Sequence, residues 1–230
     1  MYLAEYTGRG VRVAVVDSGV HATHPHVDGV AEGVAIREDG THDPDYVDRV
    51  GHGTAVAAAI REKAPDAELI AIKIFHESLA ADVRTLVAGI LEACDRRARV
   101  INLSLGTGEP RHREALAGAV RHAVDCGALI VAAAEDRGTC WLPGSLQDVV
   151  PVRLDWTIPR EQYVVTDENA GPALCASGYP REIPGVPKER NLKGISFAVA
   201  NATGFVARAC EAVPHAGLTA VLDLLRTASR

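Results

Sequence analysis

The sequence feature that most constrains the fold is a run of small and apolar residues, GISFAVANATGFVA, at positions 194–207. The run begins with the hydroxyl of Ser196 and continues with almost nothing but small or apolar side chains. This pattern predicts a helix that is buried on all sides, with Ser196 in its first turn. Unpaired N–H groups and the positive end of the helix dipole stabilise negative charge at such a position. Taken alone, Ser196 fits the N-cap of a core helix as well as a nucleophile.

Two further stretches carry a carboxylate and an imidazole. VRVAVVDSG at residues 11–19 predicts a buried strand with Asp17 at its carboxyl end, where α/β folds place functional groups. GHGTAVAAAI at residues 51–60 predicts an alanine-rich helix that starts at His52. The two glycines beside His52 let the backbone bend sharply and leave the imidazole accessible. Asp, His and Ser in this chain order form one of the known arrangements of a serine-peptidase triad.

These motifs resemble those of the subtilisin-like (S8) serine peptidases. Two more segments share the resemblance, INLSLG at residues 101–106 and VAAA at residues 131–134, and all occur in the family's order across nearly the whole chain. The resemblance implies an α/β fold of three layers, in which a mostly parallel central sheet carries helices on both faces. The chain departs from the family pattern at Ile195, where threonine is usual, and at Ala200, where proline is usual.

The same resemblance implies a role for each candidate site residue. His52 takes the proton of Ser196 and returns it to the leaving amine, while Asp17 holds the imidazole in the required tautomer. The backbone N–H of Ser196 forms one half of the oxyanion hole. The residues expected to bind the substrate are Ser104, Leu105, Gly106, Ala133 and Glu135. Taken alone, Ser104, Leu105 and Gly106 also fit a plain sheet strand that ends in glycine and has no role in binding.

Glu135 and Asp136 replace the usual glycine and asparagine of the family. The asparagine amide completes the oxyanion hole, whereas a carboxylate at Asp136 cannot donate a hydrogen bond unless it is protonated. We therefore expect an enzyme that is slow, acid-tuned or narrowly specialised. At Glu135 the family has a residue that walls the pocket for the side chain preceding the scissile bond. We expect either a narrower pocket or a preference for a basic residue there.

The hydrophobic pattern along the chain predicts alternating strands and helices, as in a parallel sheet with helical crossovers. Hydrophobic residues make up 47% of the chain and aromatic residues only 4%, which suits helices packed on a parallel sheet. The predicted strands are residues 11–16, 68–75, 100–105, 128–133, 149–154, 163–166 and 172–176. The predicted helices are residues 52–63, 82–97, 111–126 and 218–227, besides the helix of Ser196.

We expect residues 1–230 to form a single peptidase domain without a signal peptide or pro-segment. No apolar run nears the roughly 18 residues that span a bilayer. The five cysteines lack the spacing of metal sites and fit reduced thiols in a cytoplasm, most simply as small buried side chains. His122, on a helix rich in arginine, is most simply a surface residue. The net charge of −6 argues against a broad affinity for nucleic acid.

The acidic stretch REDGTHDPDYVD at residues 37–48 raises the question of a metal. Carboxylates there could hold calcium, which many relatives bind, but the spacing matches no defined calcium loop. A solvated acidic loop is the simpler interpretation. We therefore expect no cofactor, no metal at the site, and no membrane or nucleic-acid partner; the oligomeric state stays open.

Together these features predict a cytoplasmic serine endopeptidase that cleaves an extended peptide. The expected task is limited processing of a specific substrate, such as the leader of a precursor peptide. The alternative is a relative that binds peptides or a partner enzyme without cleaving, although no triad member is lost. A plain α/β scaffold with other chemistry would require the three motifs to coincide by chance.

Overall fold

The computed structural model describes residues 2–168 and 171–229. Within these residues strands and helices alternate along most of the chain. The strands are β1 (Arg12–Asp17), β2 (Glu32–Ile36), β3 (His42–Asp43), β4 (Glu68–Lys73), β5 (Val100–Leu103), β6 (Leu129–Asp136), β7 (Thr139–Cys140), β8 (Val149–Leu154), β9 (Tyr163–Glu168) and β10 (Gly171–Ala176). The helices are α1 (His52–Lys63), α2 (Val83–Asp95), α3 (Arg113–Asp125), α4 (Ile195–Ala212) and α5 (Leu218–Ala228). Short 3₁₀ turns lie at Pro110–His112 and Lys188–Arg190.

The strands form one sheet in the order β3-β2-β4-β1-β5-β6-β8-β10-β9, with β7 paired to the far end of β6. The pairs from β2 to β10 along this order are parallel, whereas β3, β7 and β9 pair antiparallel with their neighbours. Because the parallel strands all run the same way, their carboxyl ends meet at one edge of the sheet, where α/β folds form their ligand sites.

The central strand β1 separates two hydrophobic cores. Val13 and Val15 belong to one core and Ala14 and Val16 to the other. Helices α1, α4 and α5 cover the first face of the sheet, and helices α2 and α3 cover the second. Burial on both faces explains why the strand is a continuous apolar run instead of an alternating one. The predicted α/β fold of three layers is confirmed.

Helix α4, which carries the run of small residues, lies at the centre of the first core. Ala198, Ala202 and Ala207 are fully buried, and the helix packs against α1, against α5 and against four strands. A Cβ at Gly204 would lie 2.4 Å from the Cβ of Lys63 on α1. Small side chains therefore permit close packing around most of this helix, and the prediction of a buried helix is confirmed.

The structure differs from the sequence prediction mainly at short strands. The hydrophobic pattern does not predict β2, β3 and β7, because they are short and carry polar residues or glycine. Strand β6 continues to Asp136, beyond the predicted end at Ala133, since its last residues form a hairpin with β7. Helix α1 and strand β8 have the predicted bounds. No helix in the described ranges is long and apolar enough to cross a membrane.

Candidate active site

The carboxyl edge of the sheet gathers the ends of the elements that carry the motifs. β1 ends at Asp17, α1 begins at His52, and Ser196 is the second residue of α4. β5 and β6 pair for the last time at Leu103 and Ala132. Beyond this pair the two strands separate, and the edge of each becomes available to other groups.

A hydrogen bond joins Asp17 to His52. The Nδ1 of His52 lies 2.8 Å from Oδ1 and 3.0 Å from Oδ2 of Asp17. The Asp17 side chain is 0% exposed and that of His52 is 12% exposed. Burial on its own lowers the pKa of His52, but the hydrogen bond and charge of Asp17, with the charge of Asp48, outweigh it and raise that pKa above its usual value. Because Nδ1 faces the carboxylate, Nε2 is the nitrogen left for chemistry in the cleft.

Two glycines in the histidine motif make this contact possible. Gly51 precedes α1 with φ of 92°, a left-handed conformation that favours glycine. A Cβ at Gly53 would lie 2.2 Å from the carbonyl oxygen of Gly19 and 3.1 Å from Oδ1 of Asp17. Any side chain at this position would therefore push α1 away from the end of β1 and separate the imidazole from its carboxylate.

Asp48 fixes the start of α1 against the end of β1. Its carboxylate is buried and accepts hydrogen bonds from the Ser18 hydroxyl (2.9 Å), from the N–H groups of Val50 (2.9 Å) and Gly51 (2.8 Å), and from the N–H (2.8 Å) and hydroxyl (2.6 Å) of Thr54. Burial on its own raises the pKa of Asp48, but these hydrogen bonds outweigh it and lower that pKa. Sequence reasoning did not single out this residue.

The rest of the acidic stretch behaves as the sequence predicts. Asp39 and Asp45 are exposed and accept hydrogen bonds from neighbouring loop residues. The interpretation as a solvated loop is wrong for Asp48, because its carboxylate is buried. Its hydrogen-bond partner Ser18, directly after β1, lies 30 positions earlier in the chain, so a local sequence pattern does not reveal this contact. The absence of a calcium site in this loop stays a prediction.

The Ser196 hydroxyl points toward the neighbouring strand end. Its Oγ donates a hydrogen bond to the carbonyl oxygen of Ser104 (2.9 Å), and in this rotamer no hydrogen bond joins it to His52 among the described residues. The Ser104 Oγ lies 2.9 Å from the carbonyl oxygen of Ser196 and 3.0 Å from Oδ1 of Asn102, so its single proton serves both acceptors. Asn102 donates in turn to the hydroxyl of Thr203 on α4 (2.8 Å). These bonds fix the start of α4 to the end of β5.

A cavity of about 430 Å³ opens at this edge of the sheet, and both His52 and Ser196 line it. The predicted substrate residues that share the lining are Ser104, Leu105, Gly106 and Ala133. An apolar wall comes from the start of α2 and the loop before it, with Leu79, Ala80, Ala81, Val83 and Leu86. The structure thus places a hydroxyl, an imidazole and a strand end around one concave surface of the size of a ligand site.

The model of the subtilase family of S8 peptidases matches residues 8–229 of this chain. The chain belongs to the subtilase family. The resemblance indicated by the sequence motifs is therefore confirmed, and the match extends over both the Asp17–His52 contact and helix α4.

Individual relatives agree with this assignment. The subtilase is 31% identical over 229 residues to subtilisin E of Bacillus subtilis (strain 168), a match that covers 95% of this chain and 56% of the relative. The chain thus spans about half the length of curated relatives of this kind. A crystal structure of a cold-adapted subtilisin-like serine proteinase has a TM-score of 0.75 at 22% identity and covers 97% of this chain and 84% of that one. The S41 psychrophilic protease has a TM-score of 0.75 at 25% identity, with coverages of 96% and 83%.

In this subtilase Glu135 and Asp136 lie where β6 turns into its hairpin with β7. Asp136 pairs with Thr139 across the hairpin and is partly buried. Glu135 is exposed, and its carboxylate lies 3.9 Å from the guanidinium of Arg153. Neither residue is among those that line the cavity described above. Their assignment to the oxyanion hole and to the substrate pocket stays a prediction.

Sequence reasoning did not identify the segment after β7 as part of the cleft of this subtilase. Trp141 lines the cavity, and Leu142 exchanges two backbone hydrogen bonds with Thr107 (3.0 and 2.9 Å). A Cβ at Gly106 would lie 2.6 Å from the carbonyl oxygen of Leu142, so close packing requires this glycine. The pairing at Thr107 limits the backbone edge that follows β5 in the cleft to residues 104–106. No periodic pattern marks Trp141, and only the fold reveals its place.

Proposed function

We propose that this subtilase is a serine endopeptidase in which Ser196 is the nucleophile, His52 the general base and Asp17 the residue that orients the base. The observation that carries the proposal is the Asp17–His52 hydrogen bond of 2.8 Å at the margin of a cleft that Ser196 also lines. An imidazole fixed by a buried carboxylate beside a serine at a helix start matches the roles of a triad.

The first chemical step requires the Ser196 hydroxyl to leave the carbonyl of Ser104. Rotation about the Cα–Cβ bond of Ser196 directs Oγ toward Nε2 of His52, which accepts the proton as Oγ attacks the scissile carbonyl. Asp17 stabilises the imidazolium that forms, and His52 then protonates the leaving amine. The N–H of Ser196 lies in the first turn of α4, where the helix provides no acceptor for it, and it donates to the developing oxyanion. Water hydrolyses the resulting acyl-enzyme by the same steps.

The proposed substrate is an extended peptide segment. Residues 104–106 present a strand edge beside the candidate nucleophile, and backbone pairing with such an edge needs few specific side chains. We assign the enzyme to limited processing of a precursor peptide, because a carboxylate at Asp136 in place of an amide donor favours a slow and selective enzyme. Action in the cytoplasm stays a prediction.

Labelling with a fluorophosphonate probe tests the proposal. The probe forms a covalent bond with an activated serine, so we expect one label per chain on the native protein and none on Ser196→Ala. Ser196→Ala should also lower kcat on a cleaved peptide by about 10⁶-fold, a figure known from subtilisin itself. Mass spectrometry of the labelled chain should place the adduct on Ser196; an adduct elsewhere, or equal labelling of both proteins, would contradict the assignment.

A second candidate function is peptide binding without cleavage. The hydrogen bond from Ser196 to Ser104 and the acid at Asp136 favour it, because neither arrangement is the one that catalysis uses. It predicts a protein that takes up no fluorophosphonate label but binds extended peptides, with affinity unchanged in Ser196→Ala. Calorimetric titration of a peptide into both proteins separates this outcome from the first.

A further inference from the structure

A cluster of metal-ligating side chains lies on the sheet face opposite α4, at the ends of α2 and α3 that do not reach the cleft. Cys94 is in the last turn of α2, His122 is in the last turn of α3, and Cys126 is the residue that caps α3. The two helices pack against each other, and this packing brings their carboxyl ends together. One sulfur from each cysteine and one imidazole nitrogen all lie within 4.8 Å of one another.

The spacing within the cluster suits a tetrahedral metal ion. Zinc bonds of about 2.0–2.3 Å at tetrahedral angles place neighbouring ligand atoms about 3.5–3.8 Å apart. Cys126 Sγ lies 3.6 Å from Nε2 of His122, one helical turn away on the same side of α3. The sulfur of Cys94 needs to shift by about 1.3 Å at most to reach this spacing from both other ligand atoms, which is within the reach of a side-chain rotation.

Solvent access and donor chemistry agree with this geometry. Cys94 is buried, whereas His122 and Cys126 are exposed. An ion can therefore reach the cluster from solvent through the two exposed ligands and then bind the buried sulfur of Cys94. Two sulfurs and one imidazole are soft or borderline donors, which select zinc over calcium or magnesium. The acidic side chain of Asp95 follows directly after Cys94 and adds negative charge nearby.

We propose that Cys94, His122 and Cys126 bind one Zn²⁺ ion, with a water or another small ligand at the fourth position. His122 is exposed and Cys94 is buried, as the sequence predicts, whereas the interpretation of the cysteines as small buried side chains is wrong for Cys126, which is exposed beside His122. The proposal does not depend on the peptidase assignment, because none of the three side chains lines the cleft.

Zinc at this position joins the carboxyl ends of two helices whose other ends reach the cleft. Val83 and Leu86 near the start of α2 line the cavity, as does His112 just before α3. Thirteen helical residues span about 20 Å, so the ion acts at a distance on the wall of the cleft by holding α2 and α3 together. The expected effect is a higher melting temperature of the zinc-loaded protein.

The test uses the full chain, freed of metal with a chelator under reducing conditions and titrated with Co²⁺ and then Zn²⁺. Tetrahedral Co²⁺ with thiolate ligands gives intense visible and near-ultraviolet bands, so we expect these bands to saturate at one ion per chain and to disappear as Zn²⁺ displaces Co²⁺. Elemental analysis after desalting should find one zinc per chain. Zinc should also raise the melting temperature.

Variants at the two exposed ligands provide the decisive comparison, because their replacement leaves the buried core intact. Loss of a group that hydrogen-bonds to a zinc ligand costs about 10–100-fold in affinity, and loss of a ligand should cost at least as much. Cys126→Ser and His122→Gln should therefore each bind Zn²⁺ more than about tenfold more weakly than the native chain. Both variants should lose the thermal shift. The matched controls are Cys140→Ser and His215→Gln, which remove an exposed thiol and an exposed imidazole outside the cluster and should behave like the native chain.

Three results would overturn the proposal. The first is Zn²⁺ binding that is equal in the native chain and in both ligand variants. The second is a weak octahedral Co²⁺ spectrum at saturation. The third is the absence of stoichiometric binding at micromolar zinc in protein whose thiols titrate as fully reduced.

Discussion

The two halves of the candidate active site differ in how firmly their functional side chains are held. Asp17 and His52 are joined by a short hydrogen bond, and Asp48 fixes the loop and helix around them. In the other half the Ser196 hydroxyl is bonded to Ser104, and Asp136 lies in a hairpin outside the cavity lining. The proposed base, His52, is therefore preorganised in the free protein, whereas the proposed nucleophile, Ser196, and the proposed oxyanion residue, Asp136, are not.

This difference separates what the fold supplies from what a substrate must supply. The base is held by interactions between elements that the core already fixes, so its geometry is independent of a ligand. The proposed nucleophile, Ser196, needs a change of rotamer, and Asp136 has a carboxylate where the proposed oxyanion hole needs a donor. Substitutions at the proposed oxyanion hole should therefore change turnover most, and substitutions around His52 should change the free energy of unfolding most.

The largest effect is expected from Asp136→Asn. If the Asp136 side chain reaches the reacting carbonyl, its ionised form opposes the oxyanion, whereas an amide always donates. The kcat of the variant at neutral pH should be higher by about 10²–10³-fold, the value of an oxyanion donor in subtilisin itself.

The measurement is turnover of one peptide by both proteins from acid to mildly alkaline pH. Because the pKa of His52 is raised, the proposed base loses its proton at a higher pH than an ordinary histidine, and activity of both proteins should rise with pH through that raised pKa. Equal or lower activity of the variant at every pH would show that Asp136 is not part of the oxyanion hole.

A medium effect, on stability, is expected from Asp48→Asn. The carboxylate accepts five hydrogen bonds, and an amide turned toward these donors leaves some of them unpaired, at a cost of about 1–3 kcal/mol in unfolding free energy. Because the folded-state pKa of Asp48 is lowered, this stabilisation is present above its unfolded pKa of about 3.9 and is lost as pH falls through the folded value. The gap between the two proteins should close accordingly in acid.

Denaturant melts of native protein, Asp48→Asn and Asp45→Asn between pH 3 and 8 provide the measurement. Asp45 is an exposed acid of the same loop, so its variant should stay within about 0.5 kcal/mol of the native protein. Removing the Asp48 charge should also move the acid limb of kcat/KM to lower pH, since that charge raises the pKa of His52. A pH-independent loss of stability would assign Asp48 a packing role only.

The smallest effect, on substrate preference, is expected from substitutions at Glu135. Solvent and the nearby Arg153 guanidinium reduce the electrostatic effect of its carboxylate on a substrate. Glu135→Gln removes the charge at constant size, and Glu135→Gly removes both. The quantity to measure is the preference for a basic residue before the scissile bond. A change of this preference by less than about tenfold in both variants would indicate an effect of the charge. A change in Glu135→Gly alone would indicate an effect of side-chain size. Cleavage of a peptide library that neither variant alters would exclude Glu135 from the pocket.

The sequence predicts the parts of this protein that depend on local pattern. The alanine-rich run that follows His52 predicts the bounds of α1, and the glycine before it marks the start of that helix. The short motifs around Asp17, His52 and Ser196, with INLSLG and VAAA in the family's order, indicate the family. These features are visible because each is encoded within about ten neighbouring residues.

The parts that the sequence does not predict depend on partners far apart in the chain. Asp48 is buried because Ser18 lies across from it, and Cys94 meets Cys126 because α2 packs on α3. Trp141 enters the cleft through the pairing of Leu142 with Thr107. In each case the environment of the residue arises from packing between elements, which no local pattern encodes.

The central position of α4 links the assembly of the core to the onset of chemistry. The Asp17–His52 contact closes over 35 positions of the chain, whereas the Ser196–Ser104 contact closes over 92. Parallel sheets rich in such distant contacts fold slowly, and synthesis delivers their carboxyl-terminal elements last. A growing chain therefore holds the imidazole of His52 in place before α4 docks, completes the first core and brings Ser196 to the cleft. For the peptidase proposed here, folding and activation are then one event, and a partly folded chain lacks its nucleophile.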